Sequence, residues 1–525
     1  MSPKLAVIGL DTGDPELIRR WAGEGRLPVL RAALERGRAV EMSTVSHFFT
    51  SALWPTMATG RSAASHGIFG FRQLRPGTLD FTLDNEMDAG PALWDAAADA
   101  GLRALIVDVP FARPAREAHP RIRNLQWGAH PTPWGAASSP PGLAADAIAR
   151  HGRHPWPDDF PWLTGARELA AARDAIVRGA AARGRLLADL LEREPWDLLF
   201  AVFGEPHVAA HQLWNLESPG HPCHDPAVAA ALGGAPVRDC FEAVDRALGE
   251  VLARIPADAS VLLVCAAGIY ATHGTEGLLP GLLERMGLAV PARSGAGSRG
   301  GLLATARRGA LDMYRAVIPQ RIRSAIAQRT SEAVRARIAN ERLRGALDWT
   351  RTRAFTLPAT AAGHVRLNVR GREPGGIVEP GAEREALRDR IEAEVRALRI
   401  AGTGEPAALD VVRPDRLMPG PRAAEFPDLA VIWDDARAIP AVESPALGRI
   451  ENSGDPGRRP HHANRGLWLA WGPGVAPGAP IAGARAEDLA ATALALLGVA
   501  RPPMMEGQPI DALLARAGAA AGRTR

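Results

Sequence analysis

Cysteine is scarce in this chain: Cys223, Cys240 and Cys265 are its only three among 525 residues, and no two form a C-x-x-C pair. That excludes a disulfide framework and a cysteine-built zinc module, and it makes a reducing compartment the default. Long apolar runs are missing as well. The longest, near residues 261–271 and 489–500, fall well short of the ~20 residues that a membrane helix needs. The opening apolar run, residues 5–10, stops at Asp11 and is too short for a signal-peptide core. The expectation is a cytoplasmic protein with no transmembrane segment. Lysine is nearly absent, Lys4 being the only one, so the positive charge is arginine. A formal net charge of +4 over this length leaves no general nucleic-acid footprint, and no nucleic-acid partner is expected.

What remains has the make-up of an ordinary globular enzyme: 46% hydrophobic and 23% charged residues, with Gly 54 and Pro 44 making about a fifth of the chain, below the level that signals disorder. Residues 5–10, LAVIGL, form a continuous apolar run that ends in Asp11-Thr12-Gly13, followed by an amphipathic stretch over 15–38. This reads as a buried strand, a loop and a helix. Similar strands are predicted over 102–109, 196–203, 260–265, 428–433 and 467–471, with helices over 92–100, 168–194 and 487–497. The fold class is therefore α/β, a mostly parallel central sheet with helices on both faces. Between these units, residues 112–161 are rich in Pro, Gly and His and read as a long loop or lid. His130 within that stretch is either a substrate contact or a surface group. Residues 287–426 break the pattern and read as an inserted smaller subdomain, dividing the core into 1–286 and 427–525.

Three places carry chemistry. Asp11 follows a strand end, where open α/β sheets place ligands; capping the next helix is the alternative. His207 and His211 stand four apart directly after a predicted strand, so on a helix both imidazoles share one face and can hold one metal ion. Residues 44–71, TVSHFFTSALWPTMATGRSAASHGIFGF, hold hydroxyls at Thr50, Ser51, Thr56 and Thr59. A hydroxyl at a helix start is either an N-cap or a nucleophile favoured by the positive helix end.

Thr50, Trp54, Thr56, the Thr59-Gly60 pair and His66-Gly67-Ile68 resemble the nucleophile segment of the type I phosphodiesterase/nucleotide pyrophosphatase family of the alkaline phosphatase superfamily. The resemblance implies an alkaline phosphatase-like fold, hydrolysis of a small phosphoester, and Thr50 as nucleophile. It also implies two metal sites. Asp11 matches a ligand on the opening strand, His207 and His211 fall on an Asp-x-x-x-His pair with the first residue changed, and His462 matches the last histidine ligand. Glu205 offers a nearby carboxylate as a possible fourth ligand. The second site departs from the pattern: where the family has Ser-Asp-His-Gly, this chain has Cys265-Ala266-Ala267-Gly268, and His273 is the nearest possible substitute. One divalent ion per chain, zinc by donor type, is expected rather than two. Restoring Asp and His at 266 and 267 should create the second site if there is room. The alternative is a degenerate member serving as a binding or regulatory scaffold.

In the inserted region, residues 307–344 carry ten arginines against Asp312, Glu332 and Glu341. That is a basic surface for an anion, or a solvated helical face in an arginine-biased chain. Arg366, Asn368, Arg370 and Arg372 are anion candidates on what also reads as an ordinary solvated strand face.

Overall fold

The computed structural model describes residues 3–83, 87–115, 117, 119–128, 135–157, 163, 165–221, 223–270, 272–292, 340–341, 343–358, 362–434, 437–453 and 460–515. His130 and the arginines at 307–337 lie outside them. The chain opens with β1 (Lys4–Leu10), α1 (Pro15–Gly23), α2 (Pro28–Arg36) and β2 (Arg38–Ser43). One helix was expected over 15–38; Pro28 divides it, because proline has no N–H to continue a helix and suits the first turn of a new one. A short 3-10 turn, Thr50–Ala52, feeds α3 (Leu53–Thr59) and α4 (Ala63–His66), followed by the hairpin β3 (Arg72–Leu74) and β4 (Phe81–Leu83). Next come α5 (Leu93–Asp99), β5 (Ala104–Val107), β6 (Ile122–Gln126), β7 (Ala137–Ser139), α6 (Gly142–His151), α7 (Ala166–Arg193) and β8 (Leu198–Phe203). The first half closes with α8 (Glu205–Glu217), α9 (Pro226–Ala231), α10 (Pro236–Leu252), β9 (Ala259–Cys265), β10 (Gly268–Tyr270) and α11 (Leu278–Arg285).

The second half runs through β11 (Ala354–Leu357), β12 (Gly363–Leu367), α12 (Ala382–Ala397), β13 (Arg399–Ile400), β14 (Ala408–Val412), α13 (Pro414–Leu417), β15 (Leu429–Trp433), β16 (Ala441–Ser444) and β17 (Gly448–Glu451). It ends with β18 (His461–Ala463), β19 (Arg465–Trp471), β20 (Ile481–Arg485) and α14 (Asp488–Leu496). The main sheet has the order β20-β2-β19-β9-β1-β8-β5-β6-β7. Its centre, β9 through β6, is parallel; β19 runs antiparallel to both β9 and β2. β1 shows why its run is unbroken in hydrophobicity. Ala6, Ile8 and Leu10 pack into one layer with α1, α2, α7, α8 and α10, while Leu5 and Val7 face the other with α3, α5 and α14. Side chains alternate across a strand, so a strand covered on both faces must be apolar throughout.

Two expectations are corrected here. The stretch 112–161 is not a plain loop: β6 pairs in parallel with β5, β7 extends the edge, and α6 covers it. β6 hides its character because Asn124 and Gln126 are buried polar residues, their amides donating to the carbonyl of Ala112 at 3.0 and 3.1 Å. The strand at 429–433 does not return to the main sheet either. β15 pairs with β12 and β14 inside a separate four-stranded sheet, order β11-β12-β15-β14, and the chain rejoins the main sheet at β19. An apolar run buried on both faces looks the same in either sheet. Among the described residues no helix is long and apolar enough to cross a membrane.

Candidate metal centre and nucleophile segment

Asp11 follows β1 directly and is only 5% exposed. Its N–H donates to the carbonyl of Phe203 at the end of β8 (3.0 Å), which fixes the backbone. One carboxylate oxygen, Oδ1, accepts the indole N–H of Trp54 at 3.0 Å; the other, Oδ2, lies 3.6 Å from Nδ1 of His207. Thr12 then turns with φ 57, a left-handed conformation rare for a β-branched residue. That turn sets its hydroxyl 3.0 Å from His207 Nδ1 and 3.5 Å from His462 Nδ1.

The histidines come from two elements. β8 passes through Gly204 into α8, whose first turn holds Pro206, and the spacing of four brings the His207 and His211 rings to 4.4 Å between centroids. His462 arrives on β18, paired with Ile269 of β10, the strand that starts straight after Ala266-Ala267. Its ring stacks on His207 at 5.4 Å and meets His211 at 5.3 Å. Asp14 braces this arrangement: Oδ1 caps α1 through the N–H groups of Glu16 and Leu17, while Oδ2 accepts the N–H of Ile269 at 2.7 Å. At Gly268 a Cβ would come 2.8 Å from Arg465 Nε and 3.0 Å from Asp14 Oδ2, so a larger residue would have to displace the Arg465 side chain from Asp14.

One ligand atom each of His207, His211 and His462 lies within 4.8 Å of the others, and no further group of three or more His, Cys, Asp or Glu side chains is so placed among the described residues. Three imidazoles that leave a coordination position open form a donor set suited to a catalytic zinc ion and unsuited to magnesium, which prefers oxygen. The residues therefore fit the metal that the fold implies.

Glu205 does not join them. It is fully buried, with both oxygens bound by Arg183 Nε (2.8 and 3.1 Å) and one by His154 Nε2 (3.1 Å). Arg183 in turn bonds Asp108, whose Oδ1 accepts the N–H groups of Trp127 and Gly128. Burial alone would raise the Glu205 pKa; the Arg183 charge and the His154 hydrogen bond outweigh it and hold the group at about 2. A buried guanidinium is a strong competitor for a carboxylate, so Glu205 anchors the start of α8 instead of ligating. His273 stacks on His221 at 5.4 Å between centroids. Of the anion candidates, Arg366 and Arg372 bind Glu373 and Arg372 also binds Asp428, so these two guanidinium groups are occupied; Arg370 pairs with Glu379 at the surface.

Thr50 is the first residue of the 3-10 turn and Phe49 is its cap, without a side-chain capping bond. Thr50 is thus not the cap residue of this turn. The segment is held from two sides. Phe49 packs against Phe69 and Phe426 at 5.0 and 4.9 Å, and His364 Nε2 donates to the Phe48 carbonyl at 2.9 Å. Trp54, four residues after Thr50, ties the helix to Asp11. Gly60 closes α3 with φ 64, and Thr56 accepts from His66 Nε2 at 2.9 Å, the Nδ1 of that ring taking the N–H of Ile68.

Burial, with the charges of Arg61 and Arg422 adding to it, pushes the His66 pKa down to about 3; burial, partly opposed by the bond to Phe48, takes His364 down to about 4. Unfolded, both titrate near 6.5. Between those values the unfolded chain binds more protons, so their contribution is full above about pH 6.5 and is lost as pH falls toward 4. Urea midpoints measured from about pH 7.5 to 4.5 should therefore decline, less steeply in His364→Asn; a flat profile would contradict the assignment.

Thr12, Asp14 and the pairing of Trp54 with Asp11 were not legible as site features. The D-T-G turn carried no signal beyond its Asp, and an indole partner for a carboxylate has no sequence pattern.

The sequence profile described as Type I phosphodiesterase / nucleotide pyrophosphatase matches residues 5–457. His462 lies just beyond that stretch; it was expected from the resemblance, and the geometry brings it beside His207 and His211. No curated protein sequence matches the chain. Among solved structures, phosphonoacetate hydrolase from Sinorhizobium meliloti 1021 in complex with phosphonoacetate is 15% identical, with 95% of this chain and 96% of that one covered and a TM-score of 0.51. The wild-type alkaline phosphatase PafA is 13% identical, with 98% and 99% covered and a TM-score of 0.53. Identity this low shows a shared fold. The profile match, spanning most of the sequence, shows more: the chain belongs to the type I phosphodiesterase/nucleotide pyrophosphatase family, built on an alkaline phosphatase-like fold.

Proposed function

We propose that this chain is a metal-dependent hydrolase of small phosphoesters that uses Thr50 as nucleophile and a single zinc-type centre of His207, His211 and His462. The observation that carries the reading is the convergence of those three imidazoles beside Asp11, at the edge of a sheet whose family hydrolyses phosphoesters. A bound ion would supply Lewis-acid polarisation of the phosphoryl group and offset its negative charge. The chain's own residues do the rest. The Thr50 oxygen bonds to phosphorus as the bond to the leaving alkoxide breaks; the Thr50 proton passes to solvent water, and solvent protonates the alkoxide to the free alcohol. Water then cleaves the phospho-threonine and restores the hydroxyl. Asp11, Thr12 and Asp14 keep the histidines in register throughout.

Elemental analysis of chelator-free protein should find one zinc-type ion per chain. Stripping the ion should abolish hydrolysis of bis(4-nitrophenyl) phosphate, and zinc should restore it. Two equivalents would overturn the one-metal reading. No metal and no turnover would favour a binding scaffold.

A further inference from the structure

Asp11 stands where the family pattern puts a ligand of a second metal ion, yet the residues that would share that ion, Ala266 and Ala267, are alanines that are 0% and 2% exposed. Their surroundings are filled. Both belong to the same apolar cluster as Trp54 and Met57. Gly9 of β1 gives the indole its room, because a Cβ at that position would lie 2.4 Å from Trp54 Cη2. The indole N–H ends 3.0 Å from Asp11 Oδ1.

We infer that Trp54 has replaced the second ion as the partner of Asp11, and that Asp11 is a positioning residue that orients His207 for a one-metal centre. The inference rests on the proposed metal-dependent function and specifies how its centre is held. A carboxylate with one oxygen fixed by an indole has a defined plane, and here that plane brings Oδ2 to 3.6 Å from His207 Nδ1, with the Thr12 hydroxyl 3.0 Å from the same nitrogen. A ring engaged at Nδ1 offers Nε2 to an ion, and a carboxylate behind it makes it a better donor.

The sequence departures then form one change. Three histidines bring no charge to a dication, since His207 stands where an Asp is expected; Asp11 returns one negative charge to the ring that needs it. Loss of the ligands at 266 and 267 removes the second ion; the indole hydrogen bond takes up Oδ1 of the buried carboxylate and leaves Oδ2 turned toward His207.

The test is zinc binding to the chelator-stripped, full-length chain, measured by competition with a chromophoric chelator, with Co2+ spectra reporting the ligand set. Wild type should bind one equivalent. Asp11→Asn should still bind one, about 10- to 100-fold more weakly, the scale at which partners of ligating histidines act. Its Co2+ spectrum should keep the wild-type band pattern, because no ligand has been removed. Trp54→Phe keeps most of the bulk but deletes the N–H, and should weaken binding in the same direction by less. It also carries the test if Asp11→Asn does not fold. His211→Ala should lose the ion outright. Two equivalents in wild type falling to one in Asp11→Asn would make Asp11 a ligand of a second ion and overturn the inference. Unchanged affinity in both Asp11→Asn and Trp54→Phe would also overturn it while leaving the one-metal reading standing. A wild-type chain that binds no zinc would remove both.

Discussion

Thr50→Ala should lower turnover of bis(4-nitrophenyl) phosphate by roughly 10^4-fold or more, the scale of loss when a covalent nucleophile is deleted and only binding and electrostatic stabilisation remain. The variant should fold and keep its one metal equivalent. Thr50 is not a cap residue: Phe49 caps the 3-10 turn and Ala52 caps α3. The turn is gripped instead by Phe69 and Phe426 on the Phe49 ring and by His364 on the Phe48 carbonyl. These contacts stay in the variant, and losing one hydroxyl with its hydrogen bond, about 0.5–1.5 kcal/mol, should lower the midpoint of a chain this long by only about 1 °C. Thr50→Ser restores an oxygen on the same backbone and should recover most of the rate. Those two variants separate attack by the side chain from attack by water. If Thr50→Ala keeps wild-type turnover with its metal in place, the phospho-threonine route is wrong although the metal centre stands.

The grip on this turn also explains what the inserted subdomain contributes. Phe426, His364 and Ala362 enter the same apolar cluster as Phe48, Phe49 and Phe69, and Arg422 donates from its backbone to Ala64 and from its side chain to His66. Residues read from sequence as an inserted subdomain are thus part of the wall that holds the segment carrying Thr50.

What could be read from sequence follows the physics of each signal. The strands under Asp11, His207 and Ala266 were legible because a parallel strand covered on both faces is a solid apolar run ending at a polar residue, and LAVIGL-Asp11 and SVLLVC-Ala266 have that form. The His207 and His211 pair was legible because helical spacing alone puts them on one face. His462 came through the resemblance, and its actual placement depends on the β10–β18 ladder, three residues long on each side and too short to leave a pattern. Glu205 was misassigned for a reason sequence cannot supply: its partner Arg183 is 22 positions away, on another helix. β15 was placed in the wrong sheet because burial on two faces says nothing about which sheet covers them. Trp54 carried the family resemblance, but its hydrogen bond to a residue 43 positions earlier belongs to tertiary structure.

Ala266→Asp with Ala267→His, the substitution that restores the family motif, should lower the thermal midpoint by roughly 4–7 °C and should not add a metal ion. Both alanines are buried against the cluster that holds Trp54. The N–H of Ala266 donates to the carbonyl of Leu10 at 3.2 Å, so a side chain at 266 emerges beside Asp11. A carboxylate there meets a like charge already committed to Trp54 and His207. Burying it without a cation costs about 3–5 kcal/mol, and forcing an imidazole into the space at 267 adds roughly 1–3 kcal/mol. Domains are stable by only about 5–15 kcal/mol, and with an unfolding entropy of about 2.1 cal/mol/K per residue each kcal/mol lost by a chain of this length lowers the midpoint by about 1 °C. An ion could offset that loss only by binding tightly, and the Trp54 indole already holds Asp11 Oδ1, the carboxylate it would have to share. Thermal scans with and without excess zinc, alongside metal analysis, decide the matter. A double variant with an unchanged midpoint and two bound ions would mean that the room exists, and that Trp54 shares the second site instead of having closed it.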